Sequence, residues 1–486
     1  MERYHESVLN KESLRALAVA KGSSTIVVTV EENMLTKENN VMIRKKQPIT
    51  KIRGGARVPH AKVTAEGGSV RMPSPSTIVL PLQQHIGAPC TPLVKVGDQV
   101  HIGQVIGDSD AFVAAPIHAT VSGTIKAISP YLLANGNTVD AVHIENDGKD
   151  TLCSNITVPK INNVTDFIQA VRQSGMVGIG GAGFPLHGKL AIKKETMVDT
   201  LIINGAECEP YITADYREMM ENSEHVLDGI ERIMQYVGIP NCLIGIEENK
   251  PKAITLLTQA IAQRGMEKRV KVRTLPTHYP YGAEKMLIWA LTERKVPLGS
   301  LPSDVGAIVL NISSVSVLNY YLDTGIPLVR KRITVDGGAV LWPQNLFVPI
   351  GTSVKEIIQF CGNFIQEPEK IILGGPMMGL ALYNIEGPLM KQNNAILCLT
   401  KEEMYAPENA PCIRCGRCAG VCPMNLMPTY IERYGKQGNI AALNKHGVAG
   451  CMECGSCAYV CPARRPLVQY LRHGKLLSQL SRRKNL

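Results

Sequence analysis

A chain of 486 residues, 45% apolar and 19% charged, is long enough for roughly three or four domains with real cores. Its best uncharged stretch, Val305 to Leu322, is broken by Asn311, Ser313, Ser314, Ser316 and Asn319, which argues against a membrane-spanning helix. The net charge of +10 comes with only 5% aromatic residues and no recognition module, so it does not argue for nucleic acid binding.

Residues 1–48 are polar and charged, a weakly determined extension with one strand-like run, Ser24 to Val30. From Gly54 to Asn146 the chain is rich in Gly, Pro and short Val/Ile runs. Within it, Pro92 to Ile106 alternates apolar and polar residues around Gly97-Asp98 and predicts a hairpin. With Ala114 to Ile125 this region resembles the barrel-sandwich fold of biotinyl and lipoyl carrier domains. The swinging-arm lysine is missing, because the connecting turn reads Asp-Ser-Asp-Ala-Phe-Val-Ala-Ala from Asp108 to Ala115, so a structural relative of a carrier is expected.

From Val164 the pattern changes to alternating helices and strands, which means an α/β domain. Helices are expected over Asp166–Ser174, Ser223–Val237 and Ala253–Arg264, and strands over Thr200–Asn204, Asn241–Ile246, Arg269–Thr274 and Ala307–Asn311, with a further helix near Val315. After Leu328 three strands, Lys331–Val335, Asn345–Val348 and Lys370–Leu373, and a helix over Val354–Cys361 read as a small β-grasp-like module. Helical pieces at Pro428–Tyr434 and Asn439–Asn444 follow from Met404 onward.

Two copies of one cysteine run lie among those helices. Cys412, Cys415, Cys418 and Cys422-Pro423 have the same C-x2-C-x2-C-x3-C-P spacing as Cys451, Cys454, Cys457 and Cys461-Pro462, the ligand pattern of paired 4Fe-4S clusters. Three cysteines three residues apart wrap one face of a cubane, and in two-cluster ferredoxins the fourth ligates the other cluster. One cluster is therefore assigned to Cys412, Cys415, Cys418 and Cys461, the other to Cys451, Cys454, Cys457 and Cys422. Structural zinc and disulfides are the rivals; zinc ribbons use two CxxC pairs, and 14 cysteines in this length are too sparse for a disulfide framework. A reducing compartment is expected, and the scattered Cys90, Cys153, Cys208, Cys242, Cys361 and Cys398 read mostly as small buried apolar residues.

Beyond Pro462 there are seven Lys/Arg and no acidic residue. Leu467, Leu471, Leu477 and Leu480 among these charges suggest a basic amphipathic helix, suited to an anionic membrane face or an acidic redox partner. A helix simply packed on the cluster domain is the equal alternative.

The second candidate site is Gly178-Ile-Gly180-Gly181-Ala-Gly183-Phe184-Pro185, a G-x-G-x-x-G match that is weak on its own. It follows a helix rather than a strand, so a tight structural turn is as good a reading until its company is considered. That company is Lys189, the segment Asn204-Gly-Ala-Glu207-Cys208-Glu209-Pro210 with Asp215-Tyr-Arg217, Tyr281-Gly-Ala-Glu284-Lys285, and Gly374-Gly-Pro-Met-Met-Gly379. These motifs in this order resemble the C subunit of the Rnf electron transport complex, a ferredoxin:NAD oxidoreductase, and more distantly the NADH-binding flavoprotein subunit of respiratory complex I. The resemblance runs from Lys51 to Lys475 and includes His85-Ile-Gly-Ala-Pro89.

The resemblance implies a multidomain α/β and β chain: an N-terminal extension (1–48), a barrel-sandwich domain (49–150), a Rossmann-like FMN/NADH domain (151–325), a β-grasp-like SLBB module (326–395), a helical two-cluster ferredoxin domain (396–475) and a basic tail (476–486). It places flavin contacts at Gly180, Gly181, Gly183, Lys189, Asn204, Glu207 and Glu284, and nicotinamide-nucleotide contacts at Phe184 and Glu209. Gly-Ile-Gly stands where complex I has Gly-Arg-Gly, so any contact from that arginine is absent. Cys208 reads as structural, and no catalytic histidine is named because hydride transfer requires no general acid or base. The implied setting is peripheral, on the cytoplasmic face of the cell membrane, with other Rnf subunits, ferredoxin and NADH as partners. Two rivals remain: a cobalamin reductase of a propanediol-utilisation microcompartment, and a cluster-only adaptor without a working nucleotide site.

Overall fold

The computed structural model describes residues 49–181, 183–193, 195–404 and 410–484. The strand expected at Ser24 to Val30 lies outside them. Among the described residues no helix is long and apolar enough to cross a membrane. The Val305–Leu322 stretch is instead a buried strand, Ala307–Asn311, followed directly by the helix Ile312–Thr324.

The barrel-sandwich region pairs two small sheets. In one, Thr77–Pro81 and Gln99–Val100 flank the long hairpin Gly123–Leu132/Thr138–Asn146; in the other, Val105–Asp108 lies between Thr91–Pro92 and Ile117–His118. Ile78 and Leu80 alternate inward from the first strand, giving it one dry face. The expected hairpin around Gly97-Asp98 is corrected here. Its outer ends do pair, Pro92 with Gly107, but Gln99–Val100 crosses to pair with Gly123–Thr124 in the other sheet. The alternating pattern specified two extended strands, while their partners were set by burial against a sequence-distant hairpin.

The α/β domain is a parallel sheet in the order Val270–Leu275, Asn241–Glu247, Thr200–Gly205, Ala307–Asn311. Ile202, Ile203, Ile244 and Ile246 are fully buried, as expected when helices cover both faces. The chain leaves Thr200–Gly205 towards one edge and returns on its other side with Ala307–Asn311. The carboxyl end of Thr200–Gly205 is thus the switch point of the sheet, the place where open α/β sheets bind ligands.

The β-grasp-like module is a mixed six-stranded sheet containing Gln344–Pro349, Arg330–Asp336, Ala395–Leu399 and Lys370–Leu373, with the helix Val354–Phe360 capped by Ser353. Its strand Ala395–Leu399 pairs with Arg330–Asp336 and so continues this sheet past residue 395. The ferredoxin region is helical, and Leu467–Lys484 forms one unbroken helix whose Leu467, Val468 and Leu471 are buried in its core. Residues 476–484 therefore continue a packed helix and are no separate tail.

Candidate functional site: a glycine loop and two cysteine runs

The helix Val164–Gln173 ends at Ser174, and the chain then forms a closed loop. Gly183 N–H donates to Gly178 O at 3.0 Å and Gly178 N–H to Phe184 O at 2.9 Å. Gly181 (φ +123°) and Gly183 (φ +66°) adopt conformations that side-chain-bearing residues rarely take. A Cβ at Gly181 would meet no atom within 4 Å, so the tip lies open to a ligand, whereas one at Gly180 would come within 2.9 Å of the Asn311 amide. Asn311 in turn caps the helix Ile312–Thr324 and donates to Asp215 Oδ2 at 2.7 Å. The loop is thus open on one side and braced by the sheet end on the other.

Lys189, on the short helix Leu186–Leu190, donates to Glu284 Oε2 at 2.6 Å and to Val309 O at 3.2 Å. Asn204 donates to Gly282 O at 2.7 Å and accepts from Ala206 N–H, tying the Tyr281–Glu284 segment to the switch-point strand. Phe184 packs beside Gly188, its ring edge 3.0 Å from where a Cβ would stand. Backbone amides at an open glycine loop, with a lysine nearby, form a donor set that fits a flavin phosphate.

Glu207 and Glu209 take separate paths. Glu207 accepts from Asp215 N–H at 2.6 Å, at the start of the helix Ala214–Glu221, and burial pushes its carboxyl up to about 7. Glu209 accepts from the Met377 and Met378 amides at 3.0 and 2.9 Å, anchoring the Gly374–Gly379 loop; burial raises it to about 7 as well. Gly375 is required there, since a Cβ would fall 2.2 Å from the Glu209 carboxylate.

Sequence reasoning missed the lysines that hold this arrangement. Lys62 donates to the carbonyls of Glu207, Glu209 and Ile212, and Lys250 to that of Ala206. Lys331, 1% exposed, donates to Ile179 O in the glycine loop (3.2 Å) and to Lys391 O (2.6 Å); Lys391, also 1% exposed, reaches Pro116 O and Gly175 O, both at 2.7 Å. Burial lowers both of these ammonium groups to about 7. Nothing in the sequence context of these lysines sets them apart: Lys250 follows Glu247-Glu248-Asn249, Lys331 stands between Arg330 and Arg332, and Lys391 precedes Gln392-Asn393-Asn394, contexts that read as solvated.

The cysteine runs lie next to the glycine-loop domain. Cys422, Cys451, Cys454 and Cys457 line one cavity with Leu426, Val468 and Leu471. Amides aim at the sulfurs: Leu426 N–H at Cys422 Sγ (3.3 Å), Glu453 N–H at Cys451 Sγ and Arg414 N–H at Cys412 Sγ (both 3.4 Å). In the other group, Cys412 and Cys461 are the thiols whose charge bears on Cys418, while Cys412 and Cys415 are exposed. Among the described residues no three Cys, His, Asp or Glu side chains converge tightly enough to chelate a single metal ion. Four thiols around a shared cavity, with amides pointed at sulfur, suit a polynuclear cluster better than zinc. Cys90, Cys242, Cys361 and Cys398 are buried in the cores, and Cys153 and Cys208 are partly buried.

An open glycine loop at a switch point, joined to two four-cysteine sites, defines an iron–sulfur flavoprotein of electron transfer. Family comparison agrees domain by domain: an RnfC barrel sandwich hybrid domain matches residues 50–149, a Nuo51 FMN-binding domain 171–319, an SLBB domain 332–381 and a 4Fe-4S dicluster domain 405–462. The chain is 46% identical over 418 residues to the C subunit of the proton-translocating ferredoxin:NAD(+) oxidoreductase complex of Clostridium ljungdahlii, covering 85% of this chain and 91% of that one. It is 42% identical to the C subunit of the Na(+)-translocating complex of Acetobacterium woodii (89% and 98% covered) and 40% identical to that of the ion-translocating oxidoreductase complex of Rhodobacter capsulatus (89% and 84%). A chain of an NAD+-reducing [NiFe]-hydrogenase matches over 65% of this chain and 63% of its own, at 18% identity and a TM-score of 0.47. This chain belongs to the RnfC family, the C subunits of Rnf-type ion-translocating ferredoxin:NAD oxidoreductase complexes, with FMN and two 4Fe-4S clusters as its cofactors.

Proposed function

We propose that this chain is the peripheral NAD(H)-exchanging subunit of a membrane ion-translocating ferredoxin:NAD oxidoreductase. It stands at the cytoplasmic face and passes electrons between NAD(H), FMN, two clusters and a further subunit or ferredoxin. FMN, when bound, supplies the exchange between two-electron chemistry at nicotinamide and one-electron chemistry at iron–sulfur clusters. Gly180, Gly181, Gly183, Lys189, Asn204, Glu207 and Glu284 hold it, Lys189 countering phosphate or ring charge. Phe184 and Glu209 serve the nicotinamide nucleotide.

The observation that carries this reading is the seam between the two halves. Glu209 grips Met377, and the Met377 carbonyl lies against Gly455, so close that a Cβ there would fall 2.7 Å from its oxygen. On the other side Gly55 N–H donates to Val421 O at 2.8 Å while Ala56 pairs with Tyr279. Both contacts reach the residues beside Cys422 and Cys454, which supports reading the cluster of Cys422, Cys451, Cys454 and Cys457 as the one on the flavin side. The exposed Cys412 and Cys415 mark the other as the exchange point with a partner.

The test is cofactor content in Lys189→Ala. Loss of FMN with about eight irons retained supports the site, together with loss of NADH-dependent dye reduction. Unchanged flavin would refute the placement of Lys189. Clusters with neither flavin nor NADH oxidation in the unmodified chain would leave a cluster-only adaptor.

A further inference from the structure

The barrel-sandwich turn from Asp108 to Ala115, which carries no lysine for a swinging arm, is pinned beside the glycine loop. Arg172, on the helix that leads into the loop, donates to both Asp108 carboxylate oxygens at 3.0 and 2.8 Å and to Ser109 O at 2.6 Å. His187 Nε2, on the short helix that follows the loop, donates to Phe112 O at 2.9 Å. Ile86 N–H donates to Gly183 O at 3.0 Å and Ala88 N–H to Val113 O at 3.1 Å, so the His85–Pro89 segment ties the loop to the turn. Gly87 is required there, since a Cβ would fall 1.9 Å from Val113 O. These bonds fix the backbone of Phe112 and leave its ring 62% exposed. The ring meets His187 edge-on, with centroids 5.6 Å apart. A Cβ at Gly188 would stand 3.0 Å from the Phe184 ring and 3.9 Å from that of Phe112, so two aromatic rings from different domains bear on one point of the helix after the loop. Ile86, 54% exposed, brings a second apolar side chain of the barrel-sandwich domain to the same margin.

We propose that Phe112 stacks on the adenine of NAD(H), so that the barrel-sandwich domain forms the outer wall of the dinucleotide site; this rests on NAD(H) exchange at the glycine loop as proposed above. Hydride transfer needs nicotinamide against the flavin, so a ring exposed at the outer margin is left for the other base. Stacking on a base needs a π face and no hydrogen-bond partner, and that is what Phe112 presents. A ring already held in place loses little freedom when the base arrives. Phe112 is a binding residue and carries no electrons.

The experiment is calorimetric titration of the full chain, loaded with FMN and both clusters, with ADP-ribose, which has the adenine and lacks the nicotinamide. Phe112→Ala should weaken ADP-ribose by about tenfold, the scale of one base on one ring. FMN and iron content should stay at parent levels, and the KM for NADH should rise by a similar factor with kcat little changed. Phe112→Tyr should bind ADP-ribose like the parent and Phe112→Leu should not, because leucine supplies apolar cover without a π face. This pair decides the matter even where the alanine variant loses flavin. Parent-level ADP-ribose affinity in Phe112→Ala or in Phe112→Leu, with NADH still oxidised, overturns the stacking and leaves the flavin reading intact. A parent that binds FMN but neither binds ADP-ribose nor oxidises NADH removes that reading and this proposal together.

Discussion

The two cysteine runs have the same spacing, yet the fold treats them differently. Cys451, Cys454 and Cys457 are buried, whereas Cys412 and Cys415 are exposed and only Cys418 of the first three is covered. Cys451 and Cys457 pack into the domain's own core with Val448, Leu467 and Leu471, and distant segments add to this: the Gly374–Gly379 loop lies against Gly455 and the strap at Gly54–Ala56 against Val421, beside Cys422. A duplicated motif thus acquires a direction from what packs on each copy. On the function proposed above, the buried copy would face the flavin domain and the exposed copy a partner.

The largest effects should come from breaking that asymmetry at the ligands. Cys454→Ala should lose one cluster, about four irons, and stop NADH from reducing the one that remains. Cys415→Ala should also lose one cluster, but the remaining one should still be reduced by NADH, while transfer to an external acceptor falls. Iron content, EPR and stopped-flow absorbance check both. If the remaining cluster in Cys454→Ala is reduced by NADH as fast as in the parent, the order is reversed. Cys454→Ala should also melt at a lower temperature than Cys415→Ala, because its thiol is fully enclosed.

The next effect concerns how the glycine loop is held. Lys331→Met should leave the buried carbonyls of Ile179 and Lys391 without a donor, a loss of about 1–3 kcal/mol for each unsatisfied group. It should lower FMN content while iron stays near its full value, since no cluster ligand touches this lysine. Flavin retention together with iron loss would show that the two sites are coupled more tightly than their separate packing implies.

Much of this was legible in the sequence, and what was not has a physical reason. Cluster ligation is local: cysteines three residues apart carry their own spacing, so a 4Fe-4S dicluster domain spanning Cys412 to Cys461 could be read without the fold. Strands were legible too, Ala307–Asn311 of the α/β sheet and Lys370–Leu373 of the β-grasp-like module to the residue, because short apolar runs leave a strong pattern. The FMN, SLBB and cluster domains followed from motif order. The Gly97-Asp98 turn misled because alternation reports a strand and not its partner. Lys331 and Lys391 were invisible for a similar reason. A lysine between two arginines, as at 331, or before Gln392-Asn393-Asn394, as at 391, reads as solvated, and only the tertiary arrangement shows that its ammonium ends among carbonyls.

A smaller effect separates the glycine-loop half from the cluster half by pH. Lys331 and Lys391 sit at about 7 when folded, against 10.5 for the free side chain, so between these values the unfolded chain binds more protons and stability should rise with pH. Glu207 and Glu209 sit at about 7 against 4.5, so there the folded chain binds more protons and stability should fall as pH climbs from about 4.5 to about 7. The contribution of these four groups is therefore lowest near neutrality. Thermal melts across pH test this: Lys331→Met should flatten the alkaline limb, and Glu209→Gln the acidic one.

The smallest expected effect bears on the C-terminal helix. Beyond Pro462 the chain carries seven Lys/Arg and no acidic residue, but Arg472 and Lys475 both pair with Glu453 at 3.0 and 2.8 Å, and Arg465 pairs with Glu432. Pairs of this partly exposed kind contribute about 0.2–1 kcal/mol each. Arg472→Ala with Lys475→Ala should therefore shift the melting temperature of the isolated chain only slightly and leave FMN content untouched. The same double variant distinguishes the two readings of the basic helix. If its charge is satisfied within the cluster domain, binding to anionic vesicles and to an acidic redox partner should stay at the parent level. If the helix also docks a partner, association should weaken and lose part of its salt dependence while stability barely moves, a split that packing alone does not produce.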